Sequence, residues 1–118
     1  MTPDFLSLEQ DDYKTRFYAG GAAHLLLDVR TLEEYETVRI PGALLIPLDE
    51  LPERIAEIPT TAPIVLVCRS GMRSQMAAQF LRHAGLGDVT LYNLEGGTQA
   101  WARRGWETVS GEVNSNGG

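Results

Sequence analysis

The stretch Ile64-Val-Leu-Val-Cys-Arg-Ser-Gly-Met-Arg-Ser74 decides the fold. Its first four residues are apolar, mostly β-branched and uninterrupted, the pattern of a short strand buried on both faces. Beyond Ser74, Ala77, Phe80, Leu81 and Ala84 recur at i, i+3, i+4 and i+7, which predicts a helix ended by Gly85. Cys68 to Arg73 therefore carries the chain from a strand into a helix. The same alternation extends in both directions. Leu6 and Leu8 predict a first strand, and Glu9 to Ala19 a helix with Tyr13 and Phe17 on one face, stopped by Gly20-Gly21. His24 to Arg30 holds another unbroken apolar run, and Thr31-x-x-Glu34 is a capping box for a helix through Val38. Ile40-Pro41-Gly42 turns into a strand from Ala43 to Ile46. Asp49 to Ile58 then has a helical pattern with Pro52 near its first turn, where a missing N–H costs little. Val89 to Tyr92 predicts the last strand, Gly96-Gly97 a turn, and Thr98 to Arg104 a final helix around Trp101. Strands alternating with helices imply parallel pairing through right-handed crossovers, hence an open α/β sheet with helices on both faces. Such sheets bind ligands beyond the carboxyl ends of their strands, which is where Cys68 stands.

The chain's 118 residues, 43% hydrophobic and 22% charged, suit a single domain with its own core. That domain is expected over residues 1–109, with 110–118 a flexible tail that has nothing to bury. A net charge of −6 argues against nucleic acid as a partner, and no apolar run approaches the length of a membrane helix. The acidic beginning MTPDFLSLEQDD is unlike a targeting peptide, so a cytoplasmic protein is expected, and a monomer by default. A single cysteine excludes an internal disulfide and a multi-cysteine metal site, and with His24 and His83 far apart no metal is expected. Nine of the ten basic residues are Arg, the side chain suited to fixed anion contacts.

Local geometry points Cys68 toward its thiolate. A free thiol titrates near ~8.5, whereas here it precedes a helix whose first N–H groups lack intrahelical partners and favour an anion. Gly71 lets the loop curl its amides inward as a nest, and Arg69 and Arg73 add two permanent positive charges. A lone cysteine at a strand end is ordinarily one more small buried hydrophobe, but the Arg-x-Gly-x-Arg-Ser that follows reverses those odds. The loop alone could also bind phosphate without catalysing anything.

Asp28-Val-Arg30, Glu33-Glu-Tyr35, Ile40-Pro-Gly-Ala43, Ile46-Pro-Leu48, the loop Cys68 to Ser74, and Leu94-Glu-Gly-Gly97 with Ala100-Trp101 and Gly105 stand in a telling order. On these pieces, spanning about residues 25–106, the chain resembles the single-domain rhodanese family of thiosulfate sulfurtransferases. The resemblance implies a three-layer α/β fold, with a five-stranded parallel sheet flanked by helices, and Cys68 as the sulfur-carrying nucleophile. Arg69, Ser70, Gly71, Met72, Arg73 and Ser74 would bind the substrate. A small anionic donor such as thiosulfate, a thiol or cyanide as acceptor, and no cofactor follow from it, with a sulfur-relay protein as a further partner. The loop has the family's six-residue length; the related phosphatases and arsenate reductases have one residue more, and that branch is the alternative activity. A non-catalytic regulatory module is the third reading, against which the intact cysteine and both arginines speak.

The family often has His where this chain has Arg39, which is expected to be a packing or surface variant. Met72 would present an apolar surface to the acceptor. Asp28 and Arg30 are expected to be a buried ion pair or loop anchor. His24 and His83 are not expected to act as bases, and Trp101 and Trp106 belong to core and edge packing. The acidic stretches Glu9 to Asp12, Glu33 to Glu36 and Asp49 to Glu57 are expected to be solvated faces.

Overall fold

A computed structural model describes residues 3–112. Five parallel strands form one sheet: β1 (Leu6–Leu8), β2 (Leu25–Asp28), β3 (Leu44–Leu45), β4 (Ile64–Val67) and β5 (Leu91–Leu94), in the order β1-β5-β4-β2-β3. β4 occupies the middle, pairing Ile64 with Leu25 on one side and with Leu91 on the other. All four of its residues are buried, as an unbroken apolar run requires. Side chains alternate across a strand, so Ile64, Leu66 and Cys68 enter one core layer while Val65 and Val67 enter the other. The first layer packs under α3 (Leu51–Arg54) and α4 (Met72–His83) through Leu51, Ala77, Ala78 and Leu81. The second packs under α1 (Gln10–Tyr13), α2 (Leu32–Thr37) and α5 (Gly97–Arg103) through Tyr13, Tyr35 and Trp101. Each fully buried aliphatic side chain contributes on the order of 1.5–3 kcal/mol, and β4 is where both layers draw on the same strand.

Several elements differ from the sequence expectation. The first helix is α-helical only to Tyr13 and continues as a wider π-helical turn from Lys14 to Tyr18, with Ala19 donating to the Lys14 carbonyl at 2.8 Å. Asp49 to Ile58 is not one helix, because Pro52 has no N–H for the Leu48 carbonyl; Leu51 donates to that carbonyl instead. A 3₁₀ turn (Leu48–Glu50), the short α3 and a second 3₁₀ turn (Ile55–Glu57) result. The last strand begins two residues later than its alternation implies, because pairing with β1 and β4 fixes it over Leu91–Leu94. The buried stripe of α4 is Ser74, Ala77, Ala78 and Leu81. Phe80, expected on that stripe, is 36% exposed, and Ala84 is exposed too. The rotation follows from Ser74, whose hydroxyl is drawn inward by polar partners beneath the loop.

The capping box on α2 is complete: Glu34 N–H donates to Thr31 Oγ1 at 3.3 Å and Thr31 N–H to Glu34 Oε1 at 3.1 Å. Trp101 is fully buried, donates from Nε1 to the Glu107 carbonyl at 2.7 Å, and meets Trp106 edge-on with centroids 4.9 Å apart. Arg39 is a packing residue. Its guanidinium lies 4.5 Å over the Tyr35 ring and donates to the carbonyls of Tyr35 and Gly111, both at 3.0 Å. Arg39 and Val109 also exchange backbone hydrogen bonds, and Gly111 N–H donates to the Glu36 carbonyl at 2.7 Å. Gly111, the second residue of the expected tail, is thus fixed to the body, and residues 113–118 lie outside the described ones. No helix among the described residues is long and apolar enough to cross a membrane.

Candidate active site

Cys68 leaves β4 at the carboxyl edge of the sheet and lies at the floor of its loop, 1% exposed. The loop is fastened from below by the next crossover. Thr98 N–H donates to the Cys68 carbonyl at 2.9 Å and Gln99 N–H to the Arg69 carbonyl at 3.0 Å. The first amides of α5 are thereby spent on the loop's own backbone. Only glycine fits at position 97: its φ is +59°, and a Cβ would lie 2.3 Å from the Cys68 oxygen and 2.6 Å from that of Arg69.

From above, the loop turns its donors onto the sulfur. Gly71, at φ +118°, donates its N–H to Cys68 Sγ at 3.0 Å, and Ser74 Oγ stands 3.4 Å from the same atom. Burial raises the Cys68 pKa, but the Ser74 hydroxyl and the amides of Ser74, Gly71 and Ser70 outweigh it and lower the thiol below its ordinary value. These donors are the foremost stabilisers of the thiolate. Ser74 Oγ also meets the Gly71 carbonyl at 3.1 Å and Asn93 Oδ1, so a single hydroxyl proton has three acceptors. Asn93 is fixed in turn by donating from Nδ2 to Glu95 Oε2 at 2.9 Å.

Arg73, expected to bind the substrate, is engaged by a carboxylate of the chain itself. It makes a two-pronged ion pair with Glu34, Nη1 to Oε1 at 2.7 Å and Nη2 to Oε2 at 2.8 Å. Arg73 holds the Glu34 carboxyl down at about 2, against partial burial and with help from the Thr31 N–H. Arg73 is itself raised, by Glu34 foremost and less by Cys68. The carboxylate that caps α2 therefore also clamps the Cys68 loop. Arg69 and Met72 point outward, Met72 being 75% exposed. Of the seven expected site residues, the structure brings Ser70, Gly71 and Ser74 to the Cys68 sulfur, leaves Arg69 and Met72 exposed, and engages Arg73 with Glu34.

Asp28 and Arg30 form the expected buried pair at 2.8 Å, and Arg30 also donates to the Val38 carbonyl at 2.7 Å, which joins the end of β2 to α2. His24 bonds with Tyr13 and Ala22, and the exposed His83 lies 3.5 Å from Asp4. Beside the loop a groove of about 590 Å³ opens between α2 and α5, with Arg69 in its wall; Cys68 is not part of its lining. Sequence reasoning missed Glu34, Asn93 and the α5 amides as parts of the site. For Glu34 a signal existed, since a capping-box carboxylate keeps one oxygen for another donor.

The comparisons agree with this geometry. The rhodanese-like domain model matches residues 9–104. A sulfurtransferase from Allochromatium vinosum is 44% identical over 88 residues, covering 75% of this chain and 80% of that protein. A rhodanese-related protein from Thermoplasma volcanium superposes with a TM-score of 0.77 at 28% identity, over 89% of this chain and 98% of that one. The thiosulfate sulfurtransferase of Pseudomonas aeruginosa also gives 0.77, at 29% identity, with 92% of this chain matched to 21% of its length. The match runs through β2, β3, β4, β5 and the whole Cys68 loop, and the chain belongs to the rhodanese-like domain family.

Proposed function

We propose that the protein is a sulfurtransferase that carries sulfane sulfur on Cys68, with thiosulfate or a similar small anion as donor. The Cys68 thiolate attacks the outer sulfur of thiosulfate; a new S–S bond forms, the old one breaks, and sulfite leaves with its electron pair. Gly71, Ser70 and Ser74 donors then hold the charge of the terminal persulfide sulfur. An acceptor thiolate or cyanide attacks that outer sulfur, and the electron pair of the broken bond returns to Cys68 Sγ. The reaction as written needs no metal or organic cofactor, because sulfite is a stable leaving group and sulfur is polarizable.

The observation that carries this reading is the donor set around Sγ, which lowers the thiol pKa despite near-complete burial. The names of the Allochromatium and Pseudomonas relatives support the same chemistry. Donors aimed at a developing anion are each worth ~2–4 kcal/mol when the site excludes water. A single free cysteine as working group fits a reducing, cytoplasmic setting, with residues 1–109 as the working domain.

Intact-protein mass spectrometry after thiosulfate treatment tests it. The protein is expected to gain one sulfur atom, lost again on adding cyanide, and Cys68→Ser is expected to abolish both. Full transfer to cyanide by Cys68→Ser would refute the proposal. Cys68-dependent release from an aryl phosphate in place of sulfur transfer would point to the oxyanion-hydrolase branch.

A further inference from the structure

Asn93 is fully buried in β5, although Leu91, two residues before it on the same face, belongs to the apolar core. β5 pairs Asn93 with Leu66, two residues ahead of Cys68, so its side chain rises on the Cys68 face of the sheet. It lies against the loop: a Cβ on Gly71 would stand 3.7 Å from Asn93 Nδ2. A buried amide is costly unless both of its ends are bonded, and here both are. Nδ2 donates to Glu95 Oε2 at 2.9 Å, and Oδ1 accepts from Ser74 Oγ. An ionised carboxylate only accepts, so Glu95 fixes which way round the amide stands and leaves Oδ1 for Ser74. Among the described residues no cation pairs with Glu95, so nothing draws it away from Asn93.

Asn93 Oδ1 thereby competes for the one Ser74 proton with Cys68 Sγ at 3.4 Å and the Gly71 carbonyl at 3.1 Å. Charge decides the competition. A thiolate Sγ is an ionic acceptor and wins the proton; an Sγ that bears an outer sulfur is neutral and loses it. We propose that Asn93 and Glu95 are positioning residues acting through Ser74: Glu95 orients Asn93 so that Oδ1 holds the Ser74 proton while Cys68 carries sulfur and yields it when the thiolate returns. The sulfur-carrying half of this cycle rests on the sulfur-transfer reading. No bond to Ser74 breaks, since its O–H only turns from one acceptor to the other. By keeping Oδ1 a standing competitor, Glu95 leaves Sγ more basic, hence a stronger nucleophile toward the donor and a poorer leaving group toward the acceptor. The other charges about the loop are Arg73 paired with Glu34 of α2, Asp28 paired with Arg30 beyond β2, and the exposed Arg69.

Glu95→Ala, alone and combined with Ser74→Ala, tests the proposal. Glu95 is partly exposed, and without its carboxylate the Asn93 amide is free to turn Nδ2 toward Ser74 Oγ, which leaves the hydroxyl proton to Sγ. Followed by thiolate absorbance, Cys68 in Glu95→Ala is expected to titrate about half a pH unit below wild type. The double variant is expected to titrate with Ser74→Ala, whereas a carboxylate acting on the sulfur through space would shift both backgrounds alike. In double-displacement kinetics at a pH where the thiol is fully ionised, kcat/KM for thiosulfate is expected to fall about twofold and that for cyanide to rise about twofold. A purely structural role would lower both. An unmoved titration in Glu95→Ala, an equal shift in both backgrounds, or half-reactions that change in the same direction would overturn the proposal. Absence of cyanide turnover in the wild type would instead strike the sulfur-transfer reading, and the titrations would still decide which acceptor Ser74 serves.

Discussion

The two sides of the Cys68 loop are built in opposite ways. On the inner side the groups are committed: Gly97 admits the Cys68 and Arg69 carbonyls, α5 amides bind them, Ser74 and Gly71 meet the sulfur, and Asn93 accepts from Ser74. On the outer side Met72 stands three-quarters exposed and Arg69 has no acid partner among the described residues. Between them runs the Glu34–Arg73 clamp, each side chain about one-third exposed. The difference teaches that the state of the nucleophile is set foremost by the chain's own backbone and one hydroxyl, while charged side chains mainly shape what surrounds it. Substitutions on the inner side should therefore alter fold and thiol together, and those outside should alter neither.

The largest effect is expected from Gly97→Ala. A Cβ there meets two backbone oxygens at 2.3 and 2.6 Å on a left-handed residue, so the loop and α5 must separate. A loss of at least about 3 kcal/mol in a denaturant melt is expected, with the Cys68 thiol titrating higher. A wild-type melt would show that the loop is not fastened from below.

Ser74→Ala comes next. It removes a donor from Sγ and leaves Asn93 Oδ1 buried without the hydroxyl, for a loss of about 1–2 kcal/mol in stability. The thiol is expected to titrate higher and alkylation at neutral pH to slow. An unchanged alkylation profile would transfer the burden to the amides alone.

Glu34→Gln breaks the clamp, and because both partners are partly solvated the loss is expected to be about 0.5–1 kcal/mol. Its pH signature is more specific. Glu34 titrates at about 2 in the folded protein and near 4.5 when unperturbed, so its contribution is complete above 4.5 and is lost as pH falls toward 2. Acid melts should show wild type and Glu34→Gln converging across that window, and parallel curves would contradict the clamp. The smallest effect belongs to Met72→Ser, expected to change stability by less than about 0.5 kcal/mol, since the side chain lies mostly in solvent.

What the sequence made legible was what local chemistry determines. β4 is an apolar run of four, and its limits were plain. The capping box announced α2, and the Arg-x-Gly-x-Arg-Ser signature placed a loop at a strand end. What stayed hidden depended on partners distant in sequence. Arg73 looked like a ligand for an anion, yet its anion is Glu34, 39 residues earlier in the chain. Asn93 lay one residue beyond the strand expected over Val89 to Tyr92, but it is a buried member of β5 bonded to Ser74, 19 residues before it. Phe80 fitted a helical stripe, which tertiary packing rotated toward Ser74 and away from it. For Arg39, packing was foreseeable, but its ties to Val109 and Gly111 were not.

The most direct test is a pH titration of the Cys68 thiolate, followed by its ultraviolet absorbance, in wild type, Ser74→Ala and Arg69→Gln. The account predicts a wild-type thiol below the ordinary free-cysteine value, a clear rise in Ser74→Ala and little change in Arg69→Gln. A wild-type thiol at or above the free-cysteine value, or a rise confined to Arg69→Gln, would contradict it.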